Sequence, residues 1–519
     1  ADNNTAVGFV ALTANTTGAS NTAVGTSALT ANTTASNNVA IGDQALEGNT
    51  TGASNVAVGV QALEATTTTS NNTAVGKNAL LSNTGIGNTA MGYTALDANT
   101  TGGYNVAIGF DALGASTTGS DNTAIGNSVL NANTTGSNNT AVGIGSLGAN
   151  TTADNNTAVG KNALGANTTA TNNVAVGATA LDAATTGGDN TALGYGALTG
   201  VTTATGNTAV GTYSNDAACT GISNTSIGYY SLSANTSGAY NTAVGLNALR
   251  ANTTGAGNVA VGTGALDANT TGSYNHGFGY NALGACTTGT TNVAVGYGAL
   301  DALTDSELNV GVGNNALGAV TTGDFNVGVG SDTGNYTVLL QTGSRNMCFG
   351  SYAHTSATDS SNQHVFGYNV VGAGDSTFTF GYTTTDSSIA FGATSITAPS
   401  DVRLKEDIQD EKVGLDFINE LRPVTFRWKK EKDIPEELSA YKADSEERTM
   451  NGKYNHGFIA QEVKEVIDNH PEIKEGFDMW KEDDFDGRQR IGEGALVPML
   501  VKSIQELSAK VEDLENNKE

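Results

Sequence analysis

A glycine returns every seventeen residues through the first 330 residues of this chain, and that period restricts the fold more than any other feature. The phrase Asn-Thr/Val-Ala-Val-Gly has its glycine at 8, 25, 42, 59, 76, 92, 109 and onward to 330, 20 copies in all. The spacing is 17 throughout except for one 16, between Gly76 and Gly92. A fixed period of this length marks stacked structural units, each touching only its neighbours. With that glycine as position 0, position −4 is Asn in all 20 copies and position −2 is Ala, Ser or Gly. Position −1 is always apolar, as in Val7, Ile41, Met91, Leu193 and Phe278. Position +4 is Leu in 18 of the 20.

Each unit therefore supplies one short strand and one Leu-anchored return segment. The small residue at −2 predicts close approach of another backbone, and the glycine a bend that a side chain would block. Identical residues at a fixed period stack as ladders. The expected fold is mainly β: an elongated β-solenoid or β-roll shaft over 1–332, one coil per repeat, followed by a small α+β domain that ends in a coiled-coil helix. At about 4.8 Å per stacked strand the 20 coils make a rod roughly 95 Å long. The Ala-Leu segment has poor strand propensity and reads as a helical turn, an irregular loop or a second strand.

One chain has a thin hydrophobic supply for such a shaft. Two large apolar residues per coil contribute roughly 1.5–3 kcal/mol each. Ordering the coil costs roughly 1–2 kcal/mol per residue. A core shared between chains removes the deficit, so a homotrimer is expected. The phrase resembles the head repeats of YadA-like trimeric adhesins, which form a left-handed parallel β-roll, although the unit here is longer. Two other readings of the repeat carry less weight. The Asn-Thr-Thr segments fit the N-glycosylation pattern, but at this regularity they read as structural polar turns. An ice-binding face needs two threonines flanking one residue on a flat strand, and the strand here offers Thr then Val.

After Gly330 the rhythm breaks, with further motif-like glycines at 350, 367, 381 and 392. Aromatic residues become dense, and His354 and His364 lie among them. The segment 333–399 is read as an irregular β region, serving either as a receptor-binding tip or as a cap that seals the core.

A second kind of chain begins at TAPSDVRLKEDI, residues 397–408. Only four basic side chains precede it: Lys77, Lys161, Arg250 and Arg345. All five prolines and both tryptophans lie from 399 onward. In the resulting domain, 400–519, LDFINEL (415–421) has helical spacing and VTFRWK (424–429) alternates as a strand. GFIAQEVKEVI (457–467) reads as a strand turning into a helix. Val497, Leu500, Ile504, Leu507, Val511 and Leu514 follow a 3,4,3,4,3 spacing, a heptad seam for association between chains.

SDVRLKEDI, LRPVTFRW, GFIAQEV and the terminal helix together resemble the peptidase S74 family, the intramolecular chaperone at the C-termini of phage tail fibres and tailspikes. The resemblance implies a domain that trimerises, guides folding of the preceding fibre and cuts itself off. It implies Ser400 as nucleophile, Lys405 as general base and Pro399–Ser400 as the scissile bond. His456, just before the Gly-Phe-Ile-Ala-Gln-Glu motif, is a further catalytic candidate. A serine hydroxyl needs a neighbouring base, and a lysine can serve where burial disfavours its charge. Five residues apart, the two do not share a helical face, so a turn has to bring them together. The proline before the bond departs from the expected pattern and stiffens its carbonyl side.

The net charge of −27 argues against nucleic acid as a partner. No apolar run has the length of a membrane span and no signal peptide is evident. The chain opens in mid-repeat, so an upstream attachment region is expected. Cys219, Cys286 and Cys348 form neither a metal spacing nor a disulfide framework. No cofactor is expected. Taken together, these features predict a phage tail fibre-like trimer that attaches to a host cell-surface receptor or glycan, located on a virion tail or at an extracellular surface. The alternative is a bacterial extracellular adhesin or filament that uses the same chaperone, uncut.

Overall fold

The structure, a computed structural model, describes residues 2–393, 396–397, 400, 402–450, 452–473, 479–482 and 487–517. Contacts divide the chain into two units, Ala1–Pro399 and Ser400–Glu519.

The first unit is a β-solenoid. Each repeat contributes a three-residue strand, from Thr5–Val7 to Val327–Val329, and each strand pairs in parallel with its counterpart in the next repeat. The register is that of the sequence period: Thr22 lies opposite Val39, Ala23 opposite Ala40 and Val24 opposite Ile41. The shortened repeat is absorbed without a slip, Thr73 pairing with Thr89. Stacking hydrogen bonds also run outside the strands. Leu29 N–H donates to the Ala45 carbonyl (3.1 Å) and Gly25 N–H to the Val7 carbonyl (2.8 Å). The Ala-Leu segment is a series of turns, neither strand nor helix. Two of its side-chain-bearing residues are left-handed, as at Ser27 (φ 56) and Leu29 (φ 53). Such residues cost roughly 1–2 kcal/mol each, and the repeated coil-to-coil hydrogen bonds hold them there.

The repeat glycine is required by space and by dihedral together. Gly109 has φ 136, and a Cβ there would stand 2.1 Å from the Gly126 carbonyl oxygen. That neighbour is backbone in the next coil and cannot swing aside. Gly109→Ala is expected to destabilise the shaft by roughly 2–6 kcal/mol, from dihedral strain plus overpacking. Gly165→Ala should cost far less, because Gly165 does not have the strained dihedral and a Cβ there would stand 3.2 Å from the Asn162 carbonyl oxygen. Thermal unfolding of the two variants beside the unaltered chain measures the difference.

The interior differs from the sequence expectation in which large residue it holds. Leu at +4 and Ala at −2 and +3 are fully buried, as in Leu29, Ala23 and Ala28. The apolar residue at −1 points away from them: Met91 is 44% exposed and Leu193 47%. Successive strand residues alternate between faces. The coil is narrow enough that Ala faces Leu across it, so the small residue goes in and the large one out. The coil thus buries one large side chain where two were expected.

Asparagine supplies much of the remaining cohesion. The Asn at −4 is buried, and its Oδ1 accepts the backbone N–H of the same position one coil on (Asn21 N to Asn4 Oδ1, 2.8 Å). Asn21 Nδ2 donates to the Ala35 carbonyl (2.9 Å). A second ladder occupies +7, where Asn32 Nδ2 donates to Asn15 Oδ1 (2.9 Å). Asn32, Asn49, Asn133 and Asn150, all in Asn-Thr-Thr segments, are fully buried. In the folded shaft they are structural and inaccessible to glycosylation.

The stack continues where the sequence rhythm fails. Strands Met347–Phe349, His364–Tyr368 and Thr377–Tyr382 extend the parallel sheet from Val327–Val329. The last strand, Thr385–Ala390, runs antiparallel to Thr377–Tyr382 and closes that edge of a 24-stranded sheet.

The second unit contains helices α1 (Leu415–Glu420), α2 (Ala460–Asn469) and α3 (Val497–Asn516). Two small antiparallel pairs accompany them: Val424–Phe426 with Asn455–Gly457, and Trp480–Glu482 with Gln489–Ile491. Phe417, Val463, Ile467, Met479 and Met499 are central to its core. One face of α3 packs on α1, where Glu506 Oε2 accepts the Leu415 N–H (3.0 Å) and satisfies a free amide at the start of that helix.

Candidate functional site

The turn demanded by the Ser400–Lys405 spacing is present. Residues Val402–Leu404 form a single 3-10 turn, closed by the Lys405 N–H on the Val402 carbonyl (3.2 Å). It folds residue 405 back toward residue 400, and Lys405 Nζ donates to Ser400 Oγ at 2.8 Å. Both side chains are exposed. A neutral amine in the same place would accept the hydroxyl proton, which is the contact a serine nucleophile needs. Pro399, the other half of the expected scissile bond, lies outside the described residues.

His456 is placed elsewhere in the hydrogen-bond network. It sits in the strand Asn455–Gly457 opposite Thr425, and its Nδ1 lies 3.3 Å from Thr425 Oγ1. The structure brings Ser400 and Lys405 together and pairs His456 with this threonine.

Residues 400–470 match the protein family Peptidase_S74, described as chaperone of endosialidase. Comparison with curated proteins and with solved structures finds no match. A β-solenoid shaft followed by an S74 segment fits a tailspike- or fibre-like protein.

Within the S74 segment, an ion pair that sequence reading missed joins two of the quoted motifs. Arg422 of LRPVTF donates from Nε to Glu462 Oε2 (2.9 Å), and its second nitrogen reaches Oε1. The Arg422 guanidinium holds the Glu462 carboxyl below its usual range. Glu462 thus ties the first turn of α2 to Arg422, two residues before the strand Val424–Phe426. The partners are 40 residues apart, so no local pattern announces the pair.

Beside these elements lies an open cavity of about 400 Å³, lined by Leu421, Phe458, Leu496 and Leu500 with Glu493 as the one charged group. Its lining is apolar and offers no nucleophile. Leu500 also belongs to the heptad series. Val497, Ile504, Leu507, Val511 and Leu514 are exposed as well, while Met499 and Ser503 on another face of α3 are buried.

In the first unit, His354 is buried, hydrogen-bonds the Thr337 hydroxyl through Nε2, and is pushed by burial toward its neutral form. His364 packs its ring against Phe391 at 4.9 Å. Among the described residues, no group of three or more His, Cys, Asp or Glu side chains is placed to hold a metal ion. Cys286 and Cys348 are buried, and burial pushes both thiols up to about 12.

Proposed function

We propose that this chain is a homotrimeric, phage tail fibre-like attachment protein whose S74 segment sets the register of the shaft and then separates by self-cleavage at Pro399–Ser400. The Ser400–Lys405 hydrogen bond, at the first residues of the second unit, is the observation that carries this reading. In the proposed step, Ser400 Oγ attacks the Pro399 carbonyl carbon while Lys405 takes the hydroxyl proton. The proton passes to the departing Ser400 nitrogen, leaving an ester between Pro399 and Ser400 Oγ. Water then cleaves the ester. This releases a carboxylate at Pro399 and regenerates the Ser400 hydroxyl beside a free amine. A lysine base functions when burial disfavours its charge. Both side chains are exposed in the single chain, so neighbouring copies supply the enclosure.

The register problem gives the chaperone its purpose. A slip of one coil pairs Ala with Ala, Asn with Asn and Val with Val or Ile, as the observed register does. Few contacts penalise the error. An end that associates first aligns the copies before the coils stack. Attachment is assigned to the aromatic-rich end of the shaft, where Tyr368 and Tyr382 are exposed and stacked at 5.5 Å. The native particle should have the mass of three shafts, and particles should bind host cells through residues 333–399. A single-chain particle, or undiminished binding after Tyr368→Ala and Tyr382→Ala together, would count against the respective half of the proposal.

A further inference from the structure

The last strand of the shaft holds the chain just upstream of the proposed cut. Thr385–Ala390 pairs along one edge with Thr377–Tyr382, from Thr377 opposite Ala390 to Tyr382 opposite Thr385. After Ala390 the chain turns, the Ala393 N–H donating to the Ala390 carbonyl (2.9 Å) with Gly392 at φ 84. Thr397 then forms an antiparallel bridge with Ser388. Ser388 N–H donates to the Thr397 carbonyl (2.7 Å), and Thr397 N–H donates to the Ser388 carbonyl (2.6 Å). The Thr397 hydroxyl donates to the same Ser388 carbonyl (2.9 Å), and the two hydroxyls lie 3.0 Å apart. In an antiparallel ladder a residue makes both its backbone bonds on one side. Ser388 makes both with Thr397, so Ser387 and Ile389 are the residues that bond toward Thr377–Tyr382, and the bridge occupies the strand's other edge.

We infer that the Thr397–Ser388 bridge is a positioning device for self-cleavage, with Ala398 and Pro399 as the stiff spacer between it and the scissile carbonyl. This rests on the self-cleavage reading and adds to it two residues upstream of the matched segment 400–470. Only Ala-Pro separates Thr397 from the Pro399–Ser400 bond. A proline ring fixes its own φ and confines the residue before it to extended backbone. Few soft rotations therefore lie between the bridge and the carbonyl that Ser400 Oγ attacks. On the other side of that bond, Lys405 Nζ holds Ser400 Oγ at 2.8 Å. Holding the reacting atoms near their attack geometry replaces rotational freedom that a loose chain would have to lose, and a small misplacement costs up to about 10²-fold in rate. The proline thereby gains a purpose: stiffness that hinders a free segment serves one whose upstream end is held. The bridge needs Ser388 in its strand, so the cut is tied to the folding of the shaft's final strand.

The test follows cleavage of the full chain on denaturing gels over time and pH. Ser388→Pro removes one donor of the bridge and takes no bond from Thr377–Tyr382. It should slow cleavage by roughly 10²-fold while particle mass and shaft unfolding temperature stay as in the unaltered chain. The shape of its rate-against-pH profile should also be kept, because Ser400 and Lys405 are untouched. Ser388→Ala keeps both backbone bonds and should recover most of the rate. Two glycines inserted between Thr397 and Ala398 leave bridge and dyad in place and loosen only the spacer. They should slow cleavage as Ser388→Pro does, and they decide the matter alone if Ser388→Pro lowers the unfolding temperature. Pro399→Ala should slow cleavage too, whereas a proline that merely obstructs the cut predicts acceleration. Cleavage at the unaltered rate in the glycine insertion, a displaced pH profile in Ser388→Pro, or acceleration in Pro399→Ala overturns the positioning role and leaves self-cleavage standing. An unaltered chain that stays whole overturns both.

Discussion

Ser400→Ala is expected to leave the chain intact, while the unaltered protein yields one fragment ending at Pro399 and one beginning at Ser400. The substitution removes the hydroxyl that Lys405 Nζ contacts at this turn and that the proposed step uses as its nucleophile. The loss should therefore be complete at any incubation time. Lys405→Met should behave differently. Removing a general base costs typically 10²- to 10⁴-fold, and a self-cleavage that has days to proceed can still show a small cut fraction. Lys405→Arg keeps the charge and a donor but cannot give up its proton, so it should match Lys405→Met and not the unaltered chain. Hydroxylamine should accelerate cleavage of the unaltered chain by intercepting the ester and should do nothing for Ser400→Ala. His456→Ala separates the third candidate. With Thr425 as its hydrogen-bond partner, a loss of cleavage there would have to come through assembly or local structure, and the mass of the particle tells these apart. Intact unaltered protein after full assembly would remove the self-cleavage proposal.

The sequence carried the shaft's period, its glycine bends and its buried leucines, because each of these is a local requirement repeated in all or nearly all of the 20 copies. It did not carry the orientation of the strand. In Thr-Ala-Val the more apolar face is the Val face, and hydrophobicity alone sends Val inward. The structure sends Ala23 inward and leaves Val24 only partly covered, since a coil that closes over Leu29 has room for a methyl and no more. The asparagine at +7 was equally hidden. Asn-Thr-Thr reads as a surface turn, and only the stacked coils show that Asn32 bonds to Asn15 at a distance of one repeat. At the candidate site the dyad was legible because its motif is contiguous. The Arg422–Glu462 pair and the Glu506 cap on α1 were not, because they join residues 40 and 91 positions apart.

Replacing Ile504 and Leu507 by Asp should convert the assembled particle into single chains and prevent formation of a regular shaft. Both side chains are largely exposed in the single chain, 65% and 51%, so the substitutions remove little from the fold of the second unit. Their effect falls on association instead. Each buried Leu or Ile in a helical seam contributes roughly 1.5–3 kcal/mol. Losing two per chain and adding facing like charges should weaken association by a factor on the order of 10³ or more. Met499→Ala is the informative contrast. Met499 is buried on another face of α3, and its truncation should lower the unit's own stability by about 2–5 kcal/mol while leaving association at low temperature intact. If the seam sets register, the Asp variant should yield shafts that are aggregated or irregular even though every repeat from Gly8 to Gly330 is unaltered. Should the Asp variant instead assemble ordered three-chain shafts at the normal rate, alignment would have to reside in the coils themselves. The repeat would then need a source of register that its near-identical ladders do not provide.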